Sequence, residues 1–332
     1  MAQIIDTKGL VNNRLLAWIK RIQKEQDAVT KDYTRRLLDY YQNKTLKNVN
    51  DKIRLVELVI ENDPEITQAA IKKTHEYIGL MALVVSELKD FVNYSTIQID
   101  LASTQSVKDA IVDIGLLANV INLDKAKIVT PSAVEILRNY LAEDGELYKR
   151  IGLWAGQSTD AVINAILDGV GLGQNPKKIA GLIYKALGLS LQDAVRTTRT
   201  VQLWSYREAT RANYIANSDI IKGWIWYATL DDRVCMSCVN MHGTLHSLTE
   251  PLNDHYNGRC TMLPYPQSEQ IIQQTGQEWF DSLSEEQKEA SMGKGRYQAY
   301  KDGLFSFDQL SRELSDPVYG LMRTETPLKE LL

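Results

Sequence analysis

Cysteine and histidine residues are concentrated in one short segment of this 332-residue chain. All three cysteines and three of the four histidines fall between residues 235 and 260. Their reduced pattern, C-x2-C-x16-H-x4-C, is formed by Cys235, Cys238, His255 and Cys260. Four soft or borderline donors are what a closed tetrahedral zinc site requires. The pattern therefore predicts a structural Cys₃His zinc knuckle within residues 224–264.

Alternatives to this ligand set stay open on the sequence alone. Three cysteines cannot form a complete disulfide framework, and their C-x2-C spacing suits a reducing compartment. The metal-free alternative is three reduced, partly buried thiols beside surface histidines. Two further histidines of the segment, His242 and His246, are spare candidates for the ligand position of His255.

Length and composition indicate an ordinary folded protein with two domains. A chain of 332 residues exceeds the usual size of one compact core. Its net charge of −4 argues against a protein that coats nucleic acid along its whole surface. No signal peptide is visible, and the most apolar stretch, residues 78–85, is far shorter than the ~20 residues that span a bilayer. We expect a soluble protein made in a cytoplasm.

Hydrophobic periodicity predicts one helix after another in the N-terminal domain, residues 1–160. A helix is expected over residues 10–41. A second is expected to start at Asp63-Pro64 and to run to Phe91, because aspartate caps helices and proline suits their first turn. Residues 95–101 alternate weakly between apolar and polar side chains, which favours a short strand.

The C-terminal half, residues 161–332, is expected to form a small α+β domain. Residues 224–229 are aromatic and β-branched, the best strand candidate in the chain. The spacing of glycines 169, 171 and 173 matches no phosphate-binding motif. Glycines typically follow the end of a helix, so this run predicts a helix end and a turn before a new helix at Pro176. Residues 187–190 are expected to end that helix. The predicted fold class is mainly α, with a long helical N-terminal half and short strands around the Cys/His zinc knuckle.

Basic residues are enriched at the N-terminal end of the chain. Residues 1–54 contain 12 Lys and Arg against 6 Asp and Glu. Such residues contact phosphates in nucleic-acid complexes, so a DNA-binding face is one interpretation. The alternative is the solvated face of an amphipathic helix, which is what mixed charges on a long helix usually mean.

The residues around the cysteines form a pattern found in one known family. The pattern runs Trp224, Thr229-x-Asp231-x-Arg233-x-Cys235-x-x-Cys238, Gly243, His255, Arg259-Cys260 and Pro264. It resembles the phage head morphogenesis domain of the Mu F-like minor head proteins. The resemblance covers about residues 160–310, and includes residues 293–297, which are similar to the family's Gly-Lys-x-Arg helix.

Two features depart from the family pattern. Where the family has Arg-Thr-Glu, this chain has Arg199-Thr-Val, and Arg207-Glu is a second candidate whose register is open. In the closing motif, Tyr256 replaces a proline and Gly258 replaces the first cysteine. A Cys₄ site would not survive the loss of that thiol, whereas a Cys₃His site does.

The resemblance implies a phage minor head (capsid) protein, a non-enzymatic virion component that acts in head morphogenesis at the portal vertex. It implies the portal protein and the scaffold or major capsid protein as partners. Non-specific contact with packaged DNA and help with DNA ejection are further implied roles. The implied location is inside the head near the portal, after assembly in the host cytoplasm, with no membrane partner.

Functions of two other kinds stay open. Asp254-His255 after a C-x2-C resembles the start of an HNH-like, metal-dependent nuclease, in which a histidine activates water. No histidine follows His255, so the rest of that motif is missing. The second alternative is a DNA-binding accessory protein that uses the basic N-terminal helix.

Overall fold

The computed structural model describes residues 13–120, 127–131, 146–266, 274–316 and 319–332. The helices are α1 Asn13–Tyr40, α2 Lys47–Asn62, α3 Gln68–Ile71, α4 His75–Val120, α5 Glu146–Gly171, α6 Pro176–Ala216, α7 Met236–Met241, α8 Gly276–Ser282, α9 Glu285–Met292, α10 Lys294–Lys301 and α11 Leu328–Leu331. A π-helical segment, Tyr41–Leu46, joins α1 to α2, and a 3₁₀ turn spans Phe307–Leu310. The strands are β1 Ile221–Tyr227, β2 Leu245–His246, β3 Thr261–Pro266, β4 Ser311–Asp316 and β5 Gly320–Glu325.

Helices dominate, and the small sheets lie in the C-terminal region, so the predicted fold class is confirmed. The helix predicted over residues 10–41 is confirmed as α1, and residues 10–12 lie outside the described part of the chain. None of the described helices is long and apolar enough to cross a membrane.

The predicted strand is the middle strand of a three-stranded antiparallel sheet, in the order β2-β1-β3. Trp224 pairs with His246 of β2 on one side and with Pro264 of β3 on the other. Its burial explains the run of apolar residues without strict alternation, because Trp224, Ile225 and Trp226 are all buried. The strand begins at Ile221, three residues before the predicted start. A separate two-stranded sheet is formed by β4 and β5.

Two compact units are distinguished by their internal contacts. The first comprises Met1–Asp27, Ser103–Glu143 and Thr200–Leu332, and the second comprises Ala28–Ala102 and Asp144–Arg199. In the first unit, one hydrophobic core contains three buried tryptophans together with the sulfurs of two cysteines: Trp18, Trp224, Trp226, Cys238 and Cys260. A second core cluster of that unit surrounds Phe280. The domain division predicted at residue 160 stays a prediction.

The glycine-rich turn of the second unit confirms the predicted helix end. Helix α5 ends at Gly171, Gly173 has a left-handed φ of 60°, and α6 begins at Pro176. Gly169 permits close packing, because a Cβ there would lie 2.6 Å from the side chain of Ile179. This run is a turn between packed helices, as the spacing predicted.

The short strand predicted over residues 95–101 is wrong, because these residues lie inside α4. The hydroxyls of Ser95 and Thr96 donate to the carbonyls of Phe91 and Val92, one turn earlier in the helix. Local hydrogen bonding therefore satisfies these polar side chains within a helix. The alternating apolar residues lie on two sides of one helix, with Ile99 buried and Ile97 and Leu101 exposed.

Three predicted helix boundaries are also wrong, and one of them is the end at Phe91, which lies inside α4. Asp63 ends α2 instead of starting the next helix. The long helix α4 begins at His75, where the hydroxyl of the preceding Thr74 accepts a hydrogen bond from the N–H of Tyr77. Residues 187–190 lie inside α6. There the buried hydroxyl of Ser190 bonds to the hydroxyl of Ser158, a tertiary contact where the sequence indicated a cap.

A buried carboxylate links three elements of the first unit. Asp113 of α4 is 2% exposed, and its carboxylate accepts hydrogen bonds from Arg21 and, at 2.7 Å, from the hydroxyl of Tyr206. Its carbonyl oxygen accepts from the indole N–H of Trp18 at 3.1 Å. Burial raises the pKa of Asp113 to about 6, although Tyr206 and Arg21 act to lower it.

We predict that Asp113 makes the first unit less stable as pH rises through 6. Its pKa is higher in the folded chain than in the unfolded chain, so the stabilisation is complete below about pH 4 and is lost as the carboxylate ionises. Relative to Asp113→Asn, the wild type should lose roughly 2 kcal/mol of unfolding free energy between pH 4.5 and 7.5. Urea unfolding followed by tryptophan fluorescence measures the difference, and a pH-independent difference would contradict it.

Candidate metal centre

The two cysteines of the C-x2-C pair lie at the start of the short helix α7. Cys235 has an extended backbone, with φ −83° and ψ 155°. Its sulfur accepts a hydrogen bond from the N–H of Cys238 at 3.4 Å, so a thiol takes the N-cap position that serine or aspartate usually occupies. The C-x2-C spacing and the cap together bring the two sulfurs close to each other.

The imidazole of His255 reaches both sulfurs from a separate loop. Its Nε2 lies 3.0 Å from Sγ of Cys235 and 3.2 Å from Sγ of Cys238. Its Nδ1 lies 2.8 Å from the carbonyl oxygen of Tyr256, and because a carbonyl only accepts, Nδ1 donates. This second contact orients the ring with Nε2 toward the thiols, as a metal-binding histidine requires.

Charge separation is favoured between the thiol and the imidazole. The side-chain interaction with Cys238 and the adjacent His255 outweigh burial and lower the pKa of Cys235 to about 5. Burial opposes a charge on His255, but its hydrogen bond to Cys235 and the carboxylate of Asp254 raise its pKa to about 10. Both shifts favour the thiolate and imidazolium forms, and a metal bound here would displace the proton between them.

Asp254 lies at the centre of the cluster and is fully enclosed. Its Oδ1 accepts from the N–H of His255 at 2.9 Å and from the thiol of Cys238 at 3.5 Å. Its Oδ2 accepts from the N–H of Cys260 at 3.2 Å and from Arg207 at 3.0 Å. Burial opposes ionisation, yet Arg207 and His255 outweigh it and lower the pKa of Asp254. One carboxylate therefore positions both residues of the H-x4-C pair.

Arg207 of α6 holds the loop that carries these residues. Its guanidinium donates to the carbonyl of Cys260 through Nε at 3.0 Å and Nη2 at 2.7 Å. Nη2 also donates to the carbonyl of Gly258 at 2.9 Å and to the carboxylate of Asp254. Only 6% of its side chain is exposed. The arginine thus joins a long helix to the second half of the candidate metal centre.

Gly258 is explained by the carboxylate beside it. A Cβ at this position would lie 1.9 Å from Oδ2 of Asp254, so any larger residue would displace the carboxylate. The preceding Asn257 has a left-handed φ of 57°, and the N–H of Gly258 donates to the carbonyl of His255 at 3.0 Å. The glycine that stands in place of a family cysteine is therefore matched to Asp254.

The four predicted ligands fall into two groups that share Cys238. Cys235, Cys238 and His255 have ligand atoms within 4.8 Å of one another, and so do Cys238, Asp254 and Cys260. Thiolates and an imidazole are the donors that zinc prefers, so the chemistry of the first group fits this ion. These groups could hold a metal, with Asp254 as a member that the sequence marked only in the nuclease alternative.

The two spare histidines have other partners. Nδ1 of His242 accepts from the N–H of Ala228 at 3.0 Å, and burial lowers the pKa of His242 to about 4. His246 stacks on Trp224 with ring centroids 4.3 Å apart, and its two ring nitrogens contact a threonine hydroxyl and a carboxylate, those of Thr244 and Glu250. Neither histidine belongs to a metal-compatible group of the described residues.

An ion pair joins the two halves of the cysteine motif. Arg259 donates to both carboxylate oxygens of Asp231, at 2.7 and 2.6 Å, in a bidentate arrangement. Asp231 precedes the first cysteine pair, and Arg259 directly precedes Cys260. This contact gives a structural reason for the aspartate and the second arginine of the sequence pattern.

Comparison with known protein families gives one match, over residues 160–263, to the family described as Phage Mu protein F like protein. These residues are Mu F-like. The matched range contains Arg207, β1, the C-x2-C pair and the His255–Cys260 loop, so the family resemblance is confirmed where the candidate metal centre lies. No curated protein and no solved structure matches the chain.

The Mu F-like match is shorter than the resemblance seen in the sequence. It ends at residue 263, and the similarity expected for residues 264–310 stays a prediction. Arg207, Asp254 and Gly258 were not assigned a role from the sequence. The sequence carries a signal for each of them. Arg207 is a second candidate for a family arginine, Gly258 is a departure at a family cysteine, and Asp254 precedes His255 in the nuclease-like pair.

We predict that removing the Arg207 guanidinium destabilises the Mu F-like segment far more than removing a neighbouring arginine. Arg207→Met leaves the Asp254 carboxylate buried without its counter-charge, which should cost about 3–5 kcal/mol of unfolding free energy. Arg211→Met, on the same helix, breaks a more exposed pair with Glu208 and should cost about 1 kcal/mol or less. Urea unfolding compares the two.

The double variant Arg207→Met with Asp254→Asn separates the cost of an unpaired buried charge from the cost of lost side-chain contacts. It should recover part of the loss, because no unpaired charge then remains buried. Equal losses for Arg207→Met and Arg211→Met would show that the buried ion pair does not organise this loop.

Proposed function

We propose that the chain is a phage minor head protein that acts in head morphogenesis at the portal vertex. The observation that carries the proposal is the Mu F-like match over residues 160–263, a family that indicates a phage head-related protein. That match indicates the protein family alone. We propose in addition that the protein is a minor head protein, lies at the portal, contacts DNA and assists its ejection. The virion is the proposed location.

In this proposal the Cys/His cluster is a structural zinc site held by Cys235, Cys238, His255 and Cys260. Zinc supplies a cross-link between the start of α7 and the loop after Asp254, and such a cross-link contributes directly to folding stability. Asp254 and Arg207 orient the histidine and the last cysteine around it. The chain itself does no chemistry at this site.

Protein partners are supported by apolar side chains exposed on helix α4. In the second unit, Ile78, Val85 and Ile97 are each half or more exposed. Exposed apolar groups of this kind are typical of surfaces that meet other proteins. The proposed partners are the portal protein and the scaffold or major capsid protein.

Contact with DNA has weaker support from the basic end of α1. Arg21 is paired with Asp113, and Arg35 and Arg36 both donate to Asp32. These pairs neutralise part of the basic face that the sequence indicated. Non-specific DNA contact and help with ejection therefore remain the secondary part of the proposal.

A metal-dependent nuclease is the second candidate function, and it requires a different arrangement of ligands around the metal. A nuclease needs a coordination position open to water or phosphate, whereas the imidazole of His255 is directed at two sulfurs. Plasmid cleavage that depends on added divalent metal and is abolished by His255→Ala would favour the nuclease.

We predict that the purified protein carries about one zinc per chain and that zinc stabilises the Mu F-like segment. Cys235→Ser and His255→Ala should each lower the zinc content and reduce the Tm by roughly 10 °C, because a ligand of the cross-link is lost. His75→Ala changes a histidine outside the cluster and should leave the zinc content and the Tm unchanged.

Chelation supplies the second arm of this experiment. A chelator should lower the Tm of the wild type and of His75→Ala, and leave Cys235→Ser unaffected. A zinc-free wild type with a Tm equal to that of Cys235→Ser would contradict the zinc site, while leaving the head assignment to its own test.

The head assignment predicts that this protein is present in purified virions of the phage that encodes it and cross-links to the portal protein. Mass spectrometry of cross-linked virions measures both, with the major capsid protein as the internal comparison. The gene is also expected to lie beside a portal gene. Absence from virions, or cross-links to the shell alone, would contradict a position at the portal.

A further inference from the structure

A groove of about 730 Å³ lies in the second unit, beside the π-helical segment that joins α1 to α2. It is lined by the buried Glu87 of α4, by the apolar side chains of Leu46 and Leu83, and by two charged residues, Lys47 and Asp51. The ring of Tyr184, which is 37% exposed, lies at its edge. The groove belongs to neither the candidate metal centre nor the Mu F-like cysteine motif.

Glu87 is buried, and only one of its two carboxylate oxygens has a hydrogen-bond partner among the described residues. The residue is 8% exposed, and its Oε1 accepts a hydrogen bond from the side-chain amide of Asn48 at 2.7 Å. Its Oε2 is buried and has no hydrogen-bond partner in the described part of the chain. A buried carboxylate oxygen without a donor costs free energy, so a ligand that supplies one is strongly favoured here.

The neighbouring lysines, Lys44 and the groove-lining Lys47, do not meet this need, because Oε2 of Glu87 has no hydrogen-bond partner among the described residues. The ammonium of Lys44, on the π-helical segment, lies 4.9 Å from the centroid of the Tyr40 ring. Two hydroxyls of the same segment, those of Tyr41 and Thr45, are likewise buried without partners among the described residues. π-Helical insertions are frequent at functional sites, and this one contains unsatisfied polar groups.

The chemistry of the groove selects an arginine side chain. Glu87 calls for a positively charged donor, and a guanidinium offers several N–H groups in one plane. The apolar walls of Leu46 and Leu83 suit its aliphatic stem, and the exposed ring of Tyr184 suits stacking by the guanidinium. A bare divalent ion needs six or more oxygen ligands, and neither carboxylate of the groove, Glu87 or Asp51, belongs to a metal-compatible group of the described residues.

We propose that this groove binds an arginine side chain presented by a partner protein, with the guanidinium donating to Oε2 of Glu87. The groove is larger than one guanidinium, which leaves space for the flanking residues of a peptide. The lining residue Gln42 is exposed and carries an amide group that can pair with a peptide backbone. The proposal does not depend on the zinc site or on the head assignment.

The test uses the full-length chain and three probes followed by ligand-observed NMR. The blocked tripeptide Ala-Arg-Ala should bind saturably, and the same tripeptide with citrulline, which has the shape of arginine without its charge, should bind roughly 10- to 100-fold more weakly. Free arginine should bind no better than the tripeptide. Equal binding of the arginine and citrulline peptides, or tighter binding of free arginine, would overturn the proposal.

Variants locate the binding to Glu87. Glu87→Gln should fold normally and lose roughly 10-fold or more in affinity for the arginine tripeptide, because the charge is gone. Asp90→Asn makes the same change at an exposed position on α4 outside the groove and should bind like the wild type. Unchanged affinity of Glu87→Gln would overturn the proposal.

A second variant supplies the missing group within the chain. Leu83 lies one helical turn before Glu87 and lines the groove, so Leu83→Arg should place a guanidinium beside the carboxylate. We expect a higher Tm and loss of tripeptide binding. Undiminished binding of the tripeptide to Leu83→Arg would count against this groove as the site.

Discussion

The ion pair between Arg207 and Asp254 is the interaction on which the Mu F-like segment depends. Both side chains are almost completely buried, and a buried charge is tolerated only when it is paired and hydrogen-bonded. Each partner meets that condition by contacts beyond the pair itself. The arginine binds two backbone carbonyls of the loop, and the carboxylate binds two backbone N–H groups. The loop's conformation is thereby set from the helix α6.

That conformation decides the chemistry of the cysteine cluster. The carboxylate directs His255 and Cys260 from one loop toward the two sulfurs at the start of α7, and the Asp231–Arg259 pair links the same two segments again. A glycine at 258 is the steric condition for the carboxylate to occupy its position. Gly258, which departs from the family pattern, and the buried Arg207–Asp254 ion pair therefore both follow from the position of the Asp254 carboxylate.

Secondary structure was predictable where side chains repeat with a helical period, as in α1, and where aromatic residues cluster, as in β1. It was not predictable in α4, which is apolar on several sides, so that Ile97 and Ile99 look alternating although the chain is helical. Residues 187–190 resemble a helix end, yet the helix continues because Ser190 is buried against Ser158 and the main chain of Trp154. Tertiary packing overrode local preference in both places.

The sequence by itself predicted the ligand set and determined the family resemblance of the segment, because both depend on the spacing of residues within a short window. It also showed that a glycine stands where a thiol is expected. Only the tertiary structure decided which histidine joins the cysteines, and why. Arg207 and Asp254 lie 47 residues apart, and no local pattern relates them. Their pairing arises when α6 packs against the loop, and packing is a property of the whole fold.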